Sequence, residues 1–167
     1  GIRGTIGGKP GEGLSPIDVV TFAAAYGTWL KKKGHPSNSI VLGRDARISG
    51  EMVSSLVANT LIGLGWDVLD IGLSTTPTVE LAVPWTKAAG GIIITASHNP
   101  AQWNALKLLN DCGEFISDQD GKDLLTIAEN QDFDFADVMK LGKLTQDASF
   151  LQQHVDHVLG LSWVNQP

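Results

Sequence analysis

The hexapeptide Thr95-Ala96-Ser97-His98-Asn99-Pro100 is the most reactive combination in this 167-residue chain. A serine with small residues before it and a proline-fixed loop after it holds its hydroxyl on a rigid support, which suits a nucleophile or a carrier of phosphate. An ordinary strand-end turn capped by Ser97 and Asn99 explains the same six residues, and spacing alone does not choose between the two. No Gly-x-Ser-x-Gly elbow surrounds Ser97, which argues against an α/β-hydrolase. Two further polar groups, Arg44-Asp45-Ala46-Arg47 and Ser74-Thr75-Thr76, also follow apolar runs. Gly7-Gly8-Lys9-Pro10 is a turn and not a P-loop, because Arg3 stands where the motif needs glycine and proline replaces its Ser/Thr. His154 and His157 form an i, i+3 pair without convergent Cys or carboxylate partners, and read as flanks of a packing face.

The elements that must position these residues are legible as alternating strands and helices. Ser15, Pro16 and Asp18 supply a capping hydroxyl, a proline whose missing N–H costs nothing and an acid at the positive helix end. Val19, Phe22, Ala23, Tyr26 and Leu30 continue at helical spacing to Lys31-Lys32-Lys33-Gly34, a cationic end with a C′ glycine. Ile40–Leu42 is a short buried strand, Ser49 is placed to cap a second helix reaching Gly65, and Trp66–Leu73 is the next strand. Thr76 and Pro77 open a third helix, which Pro84 is expected to cut short. Ile92-Ile93-Ile94 has the composition of a central strand covered on both faces. Leu106–Leu109 adds a candidate strand, Cys112-Gly113 a turn, and Ser117–Ala128 a fourth helix. The stretch from Asn130 to Lys143 reads as a loop with a short closing strand, and Phe150–Leu159 as an amphipathic helix.

This alternation predicts a three-layer α/β/α sandwich with a mainly parallel sheet and room for one antiparallel edge strand. Ligands of such sheets bind beyond the C-terminal ends of parallel strands. The three polar groups are therefore expected to project from one edge.

Composition narrows the function classes. Twelve Lys+Arg against eighteen Asp+Glu give a net charge of −6, which offers a nucleic-acid backbone little counterion-release energy. The apolar stretch Val19–Leu30 is too short to span a bilayer, and the N-terminus lacks a signal-peptide pattern. The single cysteine, Cys112, excludes an intramolecular disulfide and reads as a lone buried thiol. A cytoplasmic protein, with neither nucleic acid nor membrane as partner, is expected. The opening at Gly1 and the stop at Pro167 directly after a helix-like segment read as the marks of a part of a longer chain.

Thr95–Pro100 resembles the phosphoserine loop of the α-D-phosphohexomutases, the superfamily of phosphoglucomutase, phosphomannomutase and phosphoglucosamine mutase. Gly1-Ile2-Arg3-Gly4, Gly43–Arg47 with Ser49 and Gly50, Gly72–Pro77 and Trp103-Asn104-Ala105-Leu106-Lys107 support it in order and spacing. The resemblance extends to about residue 140. It implies a first domain over residues 1–145, with 146–167 leading toward a second domain. Gly1–Gly8 lean toward phosphoglucosamine mutase.

By this resemblance Ser97 would carry a phosphoryl group, pass it to a hexose phosphate, and recover one from the bisphosphorylated intermediate after the sugar reorients. Phosphoryl transfer needs an in-line acceptor and cations around the moving oxygens. Arg3 and Lys107 are the cations implied, the lysine also assisting proton transfer. His98 would assist proton transfer or order the loop, ordering being preferred. Thr95 and Asn99 would brace the loop. For Arg44, Asp45 and Arg47, anchoring a loop or domain interface ranks above direct substrate contact.

The implied cofactors are Mg²⁺, bound here through the Ser97 phosphate alone, and a hexose 1,6-bisphosphate activator. The implied partners are a hexose phosphate and the later domains of the same chain. The family's Asp-x-Asp-x-Asp, Gly-Glu-x-x-Gly and Arg-x-Ser-Gly-Thr segments do not occur, so the isolated fragment is expected to be inactive. Trp103 stands where tyrosine is common and Ala105 where glycine is common, which predicts a stiffer loop around Lys107. The alternatives are a non-catalytic phosphate- or nucleotide-binding module and a structural domain of mutase ancestry.

Overall fold

The protein is described by a computed structural model covering residues 1–164. Its elements run β1 (Ile2–Thr5), α1 (Pro16–Lys33), β2 (Ser39–Arg44), α2 (Gly50–Gly63), β3 (Asp67–Leu73), α3 (Thr76–Thr86), β4 (Gly90–Ile94), β5 (Trp103–Leu109), α4 (Asp118–Asn130), β6 (Leu144–Gln146) and α5 (Phe150–Leu159). A 3₁₀ turn at Val138–Lys140 lies in the loop before β6.

The six strands form one sheet in the order β1-β5-β4-β2-β3-β6. β4, β2, β3 and β6 are mutually parallel, and β5 runs antiparallel to both its neighbours, β4 and β1. The antiparallel pairing therefore lies at the β1 end of the sheet, with β5 one strand in from the edge. β4 and β2 occupy the middle of the order, as the Ile92–Ile94 run predicts.

Strand alternation sorts the core onto two faces. Ile40, Leu42, Ile92, Ile94, Leu106 and Leu108 join the larger cluster with residues of α1, α2 and α4. Val41, Ile71, Ile93 and Leu109 join the smaller one with Val79, Ala82 and Val83 of α3 and Phe150 of α5. Helices thus lie on both faces, giving the three layers of an α/β/α sandwich. Among the described residues, no helix is long and apolar enough to cross a membrane.

Local chemistry sets the element ends. Ser15 and Asp18 form a reciprocal capping box at α1, Gly34 closes it in the left-handed region, and Lys31–Lys33 fill its last turn. Ser117 and Asp120 cap α4 the same way. Gly90 lets β4 approach the Tyr26 hydroxyl, where a Cβ would clash. That hydroxyl donates within hydrogen-bond range of the Leu109 carbonyl at 2.7 Å and the Gly91 carbonyl at 3.1 Å, tying α1 to two strands.

Several local expectations need correction. Pro84 does not end α3, which continues to Thr86, because proline in the last turn releases only the Glu80 carbonyl, and that carbonyl packs against Gly113. Ser49 makes no side-chain cap to α2; its hydroxyl instead accepts from Asn104 Nδ2 at 2.9 Å. Cys112 is exposed, because its turn projects from the sheet end, and the adjacent Asp111 carboxylate pushes its thiol pKa up. Lys107 sits on strand β5 and not on a loop, since Trp103–Leu109 pairs with β4 and β1.

The expected closing strand does not lie within Asn130–Lys143, which holds a 3₁₀ turn; it comes just after, as β6, because Leu144–Gln146 is the segment that pairs with Val68–Asp70 of β3. Helix α5 packs on α3: Phe150 is buried there, Thr78 Oγ1 lies 2.9 Å from His154 Nδ1, and Trp85 meets His157 edge-on. His154 and His157 thus belong to a packing face.

Candidate functional site

Because β2, β3 and β4 are parallel, the polar groups that follow them share one edge of the sheet. Backbone bonds knit them together: Asp45 N–H donates to the Ile94 carbonyl at 3.1 Å, and Ser74 N–H to the Arg44 carbonyl at 2.9 Å. Along β3, Gly72 takes a positive φ of 68° where the register with β2 slips by one residue, turning the Ser74–Thr76 segment toward α3. There Thr75 caps α3 by accepting from the Thr78 amide.

Ser97 stands on the loop after β4. Its φ of 54° is left-handed, a conformation that costs an L-residue about 1 kcal/mol or more. Thr95 Oγ1 accepts the Ser97 amide at 2.9 Å, and Asn99 folds back so that its Nδ2 donates to the Ala96 carbonyl at 2.8 Å. The loop is therefore turned outward, and Ser97 and His98 are exposed. His98 Nδ1 lies 3.5 Å from Ser97 Oγ, at the limit of a hydrogen bond.

Arg3, Ala105 and Lys107 lie on one face of the β1–β5 pair. Arg3 is the register partner of Ala105, Lys107 follows two residues on, and Lys107 is also the partner of Ile93. These positions share the sheet face of α3, but lie toward the β1 edge, where Arg3 remains exposed. The result is a pocket of about 320 Å³ lined by Arg3, Lys107, Thr95, Ser97, His98 and Asn99, together with Gly1, Ala96 and Ala105. The Lys107 ammonium also rests 5.7 Å from the centre of the Phe115 ring.

An exposed hydroxyl facing two cations and no carboxylate can accept and hold an anionic group. The lining residues do not by themselves fit Mg²⁺, which needs several oxygen donors in near-octahedral geometry. Among the described residues, no group of three or more His, Cys, Asp or Glu could hold a metal ion.

The remaining sequence candidates lie behind the pocket. Arg44 turns away, pairing with Glu51 at 3.2 Å and donating to the Asp45 carbonyl. Asp45 accepts the Arg47 amide at 3.0 Å. Arg47 reaches across the sheet end to the carbonyl oxygens of Ser97, Asn99, Pro100 and Trp103. Asn104, fully buried, was not singled out as a site residue from the sequence. It bonds Ser49 and thereby pins the start of β5 to α2. Its only sequence signal is an amide between Trp103 and Ala105 in a mostly apolar strand.

Comparison with known proteins agrees with this architecture. The family described as "Phosphoglucomutase/phosphomannomutase, alpha/beta/alpha domain I" matches residues 1–135. The chain is 34% identical over 146 residues to a phosphoglucomutase/phosphomannomutase of Thermococcus kodakarensis, covering 86% of this chain and 32% of that protein. It is 37% identical over 156 residues to a phosphomannomutase of Escherichia coli, covering 93% of this chain and 33% of that protein. A crystal structure of a phosphoglucomutase/phosphomannomutase family protein from Burkholderia thailandensis superposes with a TM-score of 0.77 at 24% identity, over 95% of this chain and 34% of that one, and shows the fold. The chain thus spans about a third of the length of these relatives. With the family match running from β1 through the Ser97 loop and α4, the chain belongs to the phosphoglucomutase/phosphomannomutase family, residues 1–135 matching its α/β/α domain I.

Proposed function

We propose that this domain supplies the phosphoryl carrier of a hexose-phosphate mutase, with Ser97 Oγ as the carrier atom. The observation that carries the reading is the convergence of Ser97, Arg3 and Lys107 on one pocket from three separate elements. In the forward step a hydroxyl of the hexose monophosphate attacks the phosphorus on Ser97, the P–Oγ bond breaks, and the hydroxyl proton leaves to a base. The sugar, now bisphosphorylated, reorients. Ser97 Oγ then attacks the other phosphate, and the second monophosphate departs with the proton returned to its oxygen. Phosphate moves between O1 and O6 with no net change in composition.

Arg3 and Lys107 contribute by spreading positive charge over the transferring oxygens, which favours the transition state because its charge is spread over those oxygens. Lys107, whose ammonium lies over the Phe115 ring, would also assist proton transfer to or from the sugar hydroxyl. His98 orders the exposed loop. Thr95 and Asn99 fix its turn by the bonds described above. Mg²⁺ would supply charge neutralisation when bound, with the Ser97 phosphate as its one ligand from this domain and the others from further domains of the full-length protein. Those domains also supply sugar recognition, so the 167-residue chain alone is inactive. The relatives' names favour mannose and glucose phosphates over the glucosamine phosphate to which Gly1–Gly8 lean. The cytoplasm, where hexose phosphates are made, is the compartment proposed.

Phosphopeptide mapping of the full-length gene product after incubation with Mg²⁺ and glucose 1,6-bisphosphate tests this reading. One phosphoryl group on Ser97, absent in Ser97→Ala and discharged to a hexose monophosphate, is the result expected. A folded protein that remains unmodified with glucose, mannose and glucosamine bisphosphates would leave anion binding without chemistry as the better account.

A further inference from the structure

Every terminal N–H of the Arg47 guanidinium is committed to the loop that carries Ser97. Nη1 donates to the Pro100 and Trp103 carbonyls at 2.9 Å each, and Nη2 to the Ser97 and Asn99 carbonyls at 2.7 Å each. A guanidinium has five donors in one plane. The fifth, on Nε, makes no hydrogen bond; it is buried and lies 3.3 Å from Asp45 Oδ2 as an ion pair, in a side chain only 11% exposed. The four terminal donors are taken and Nε is shut away from solvent, so none is open to a phosphate, and Asp45 compensates the charge.

Arg47 also explains how the Ser97 loop stays where it is. Four carbonyl oxygens converge on a small volume, and their dipoles repel one another unless a cation lies among them. Without that cation, the left-handed backbone at Ser97 rests on the Thr95 and Ala96 contacts, with the far end of the loop tied by the Ile6 amide to the Gln102 carbonyl. Lysine cannot replace it, because a compact ammonium has three donors in a tetrahedral array and cannot bridge four carbonyls from one plane.

We propose that Arg47 is the positioning residue of the phosphoryl carrier: it fixes the carbonyls of residues 97–103, and so the direction of Ser97 Oγ, without itself binding phosphate. The inference rests on the mutase reading of the site. It separates the cations into two roles, with Arg3 and Lys107 facing the anion and Arg47 holding the loop from behind.

The test compares the full-length gene product with its Arg47→Lys and Arg47→Ala variants in two measurements. Hydrogen exchange at the Ser97 and Asn99 amides reports loop order. Steady-state turnover, with uptake of phosphate by Ser97 from glucose 1,6-bisphosphate, reports positioning. Both variants are expected to speed exchange at these amides and to lower kcat by about 100-fold, the scale of a misplacement near 1 Å. The KM for hexose phosphate should change less than threefold, and guanidinium ion should restore part of the Arg47→Ala turnover. A raised KM with kcat intact would show that Arg47 binds substrate, and unchanged exchange would show that it does not hold the loop; either overturns the proposal. If Arg47→Ala fails to fold, Asp45→Asn, which loosens the guanidinium without removing it, should give the same signs at smaller size. A wild-type protein that takes up no phosphate overturns the mutase reading, while the exchange measurement still decides whether Arg47 holds the loop.

Discussion

Arg47 Nη2 donates to the carbonyl oxygen of Ser97 at 2.7 Å although fifty residues separate them. The bond joins the loop after β2 to the loop after β4, two strands that pair directly in parallel. The candidate carrier is thus held by its neighbour strand's loop as well as by its own chain. Loop order and phosphoryl chemistry should rise and fall together.

Substitution at Ser97 should separate backbone from side chain. With φ at 54°, glycine is the better residue for the conformation and serine the better one for the chemistry. Ser97→Gly is expected to be more stable than Ser97→Ala by about 1 kcal/mol, the usual cost of a left-handed L-residue. Neither should take up phosphate. Urea unfolding of the two variants, read beside phosphopeptide mapping, checks both halves.

Arg3 and Lys107 are expected to matter for transfer and little for folding. Arg3 is exposed, and Lys107 is half-buried with its ammonium over the exposed Phe115 ring. Arg3→Ala and Lys107→Ala should each slow discharge of phospho-Ser97 to a hexose monophosphate by about 100-fold or more. Their unfolding free energies should stay within about 0.5 kcal/mol of wild type. Single-turnover kinetics with preloaded protein gives the first quantity, and thermal melts the second.

Tyr26 should give the fold an alkaline limit. Its hydroxyl is fully buried, and burial pushes its pKa well above the usual 10.0. The unfolded chain releases this proton near pH 10 while the folded one keeps it. The stabilising difference is therefore complete below pH 10 and shrinks above it, by about 1.4 kcal/mol for each pH unit until the folded pKa is reached. Tyr26→Phe should remove that slope. At neutral pH it should lose about 1 kcal/mol, because the Leu109 carbonyl forfeits its 2.7 Å bond. Denaturant midpoints from pH 7 to 11 for both proteins decide it.

The start of α1 should respond to acid. Burial raises the Asp18 pKa, yet the Ser15 hydroxyl and the Gly11 and Ser15 amides outweigh it, so the net shift is downward from 3.8. The stabilisation is present above the unfolded value and is lost as pH falls through the lower folded value. Asp18→Asn should remove this acid dependence, and Ser15→Ala should cost about 1 kcal/mol at pH 7. Melting curves between pH 2 and 7 measure both.

Much of this fold is local and therefore readable along the chain. Ser15-Pro16 with Asp18 and Lys31–Gly34 act within one helical turn, and their sequence signals coincide with the observed ends. The Ile92–Ile94 run fixes a doubly covered strand because only a middle position offers apolar neighbours on both faces. Where a sequence cue competes with a distant partner, the partner decides. Ser49 has the chemistry of a cap but gives its hydroxyl to Asn104, and Pro84 sits within α3 with Gly113 packed against the carbonyl it leaves free.

The candidate site divides in the same way. The residue types and order of Thr95–Pro100, Gly1–Gly4 and Trp103–Lys107 determined the family and marked Ser97, Arg3 and Lys107. Nothing in their spacing could show that Arg3 and Lys107 share a face, because that depends on β5 reversing direction and pairing Ala105 with Arg3. Nor could spacing separate Arg44, which turns to Glu51, from Arg47, which turns to the Ser97 loop. Both arginines follow the same strand and carry the same charge. Only tertiary packing decided their roles, since a donor's function is set by the acceptors that folding brings within hydrogen-bond reach.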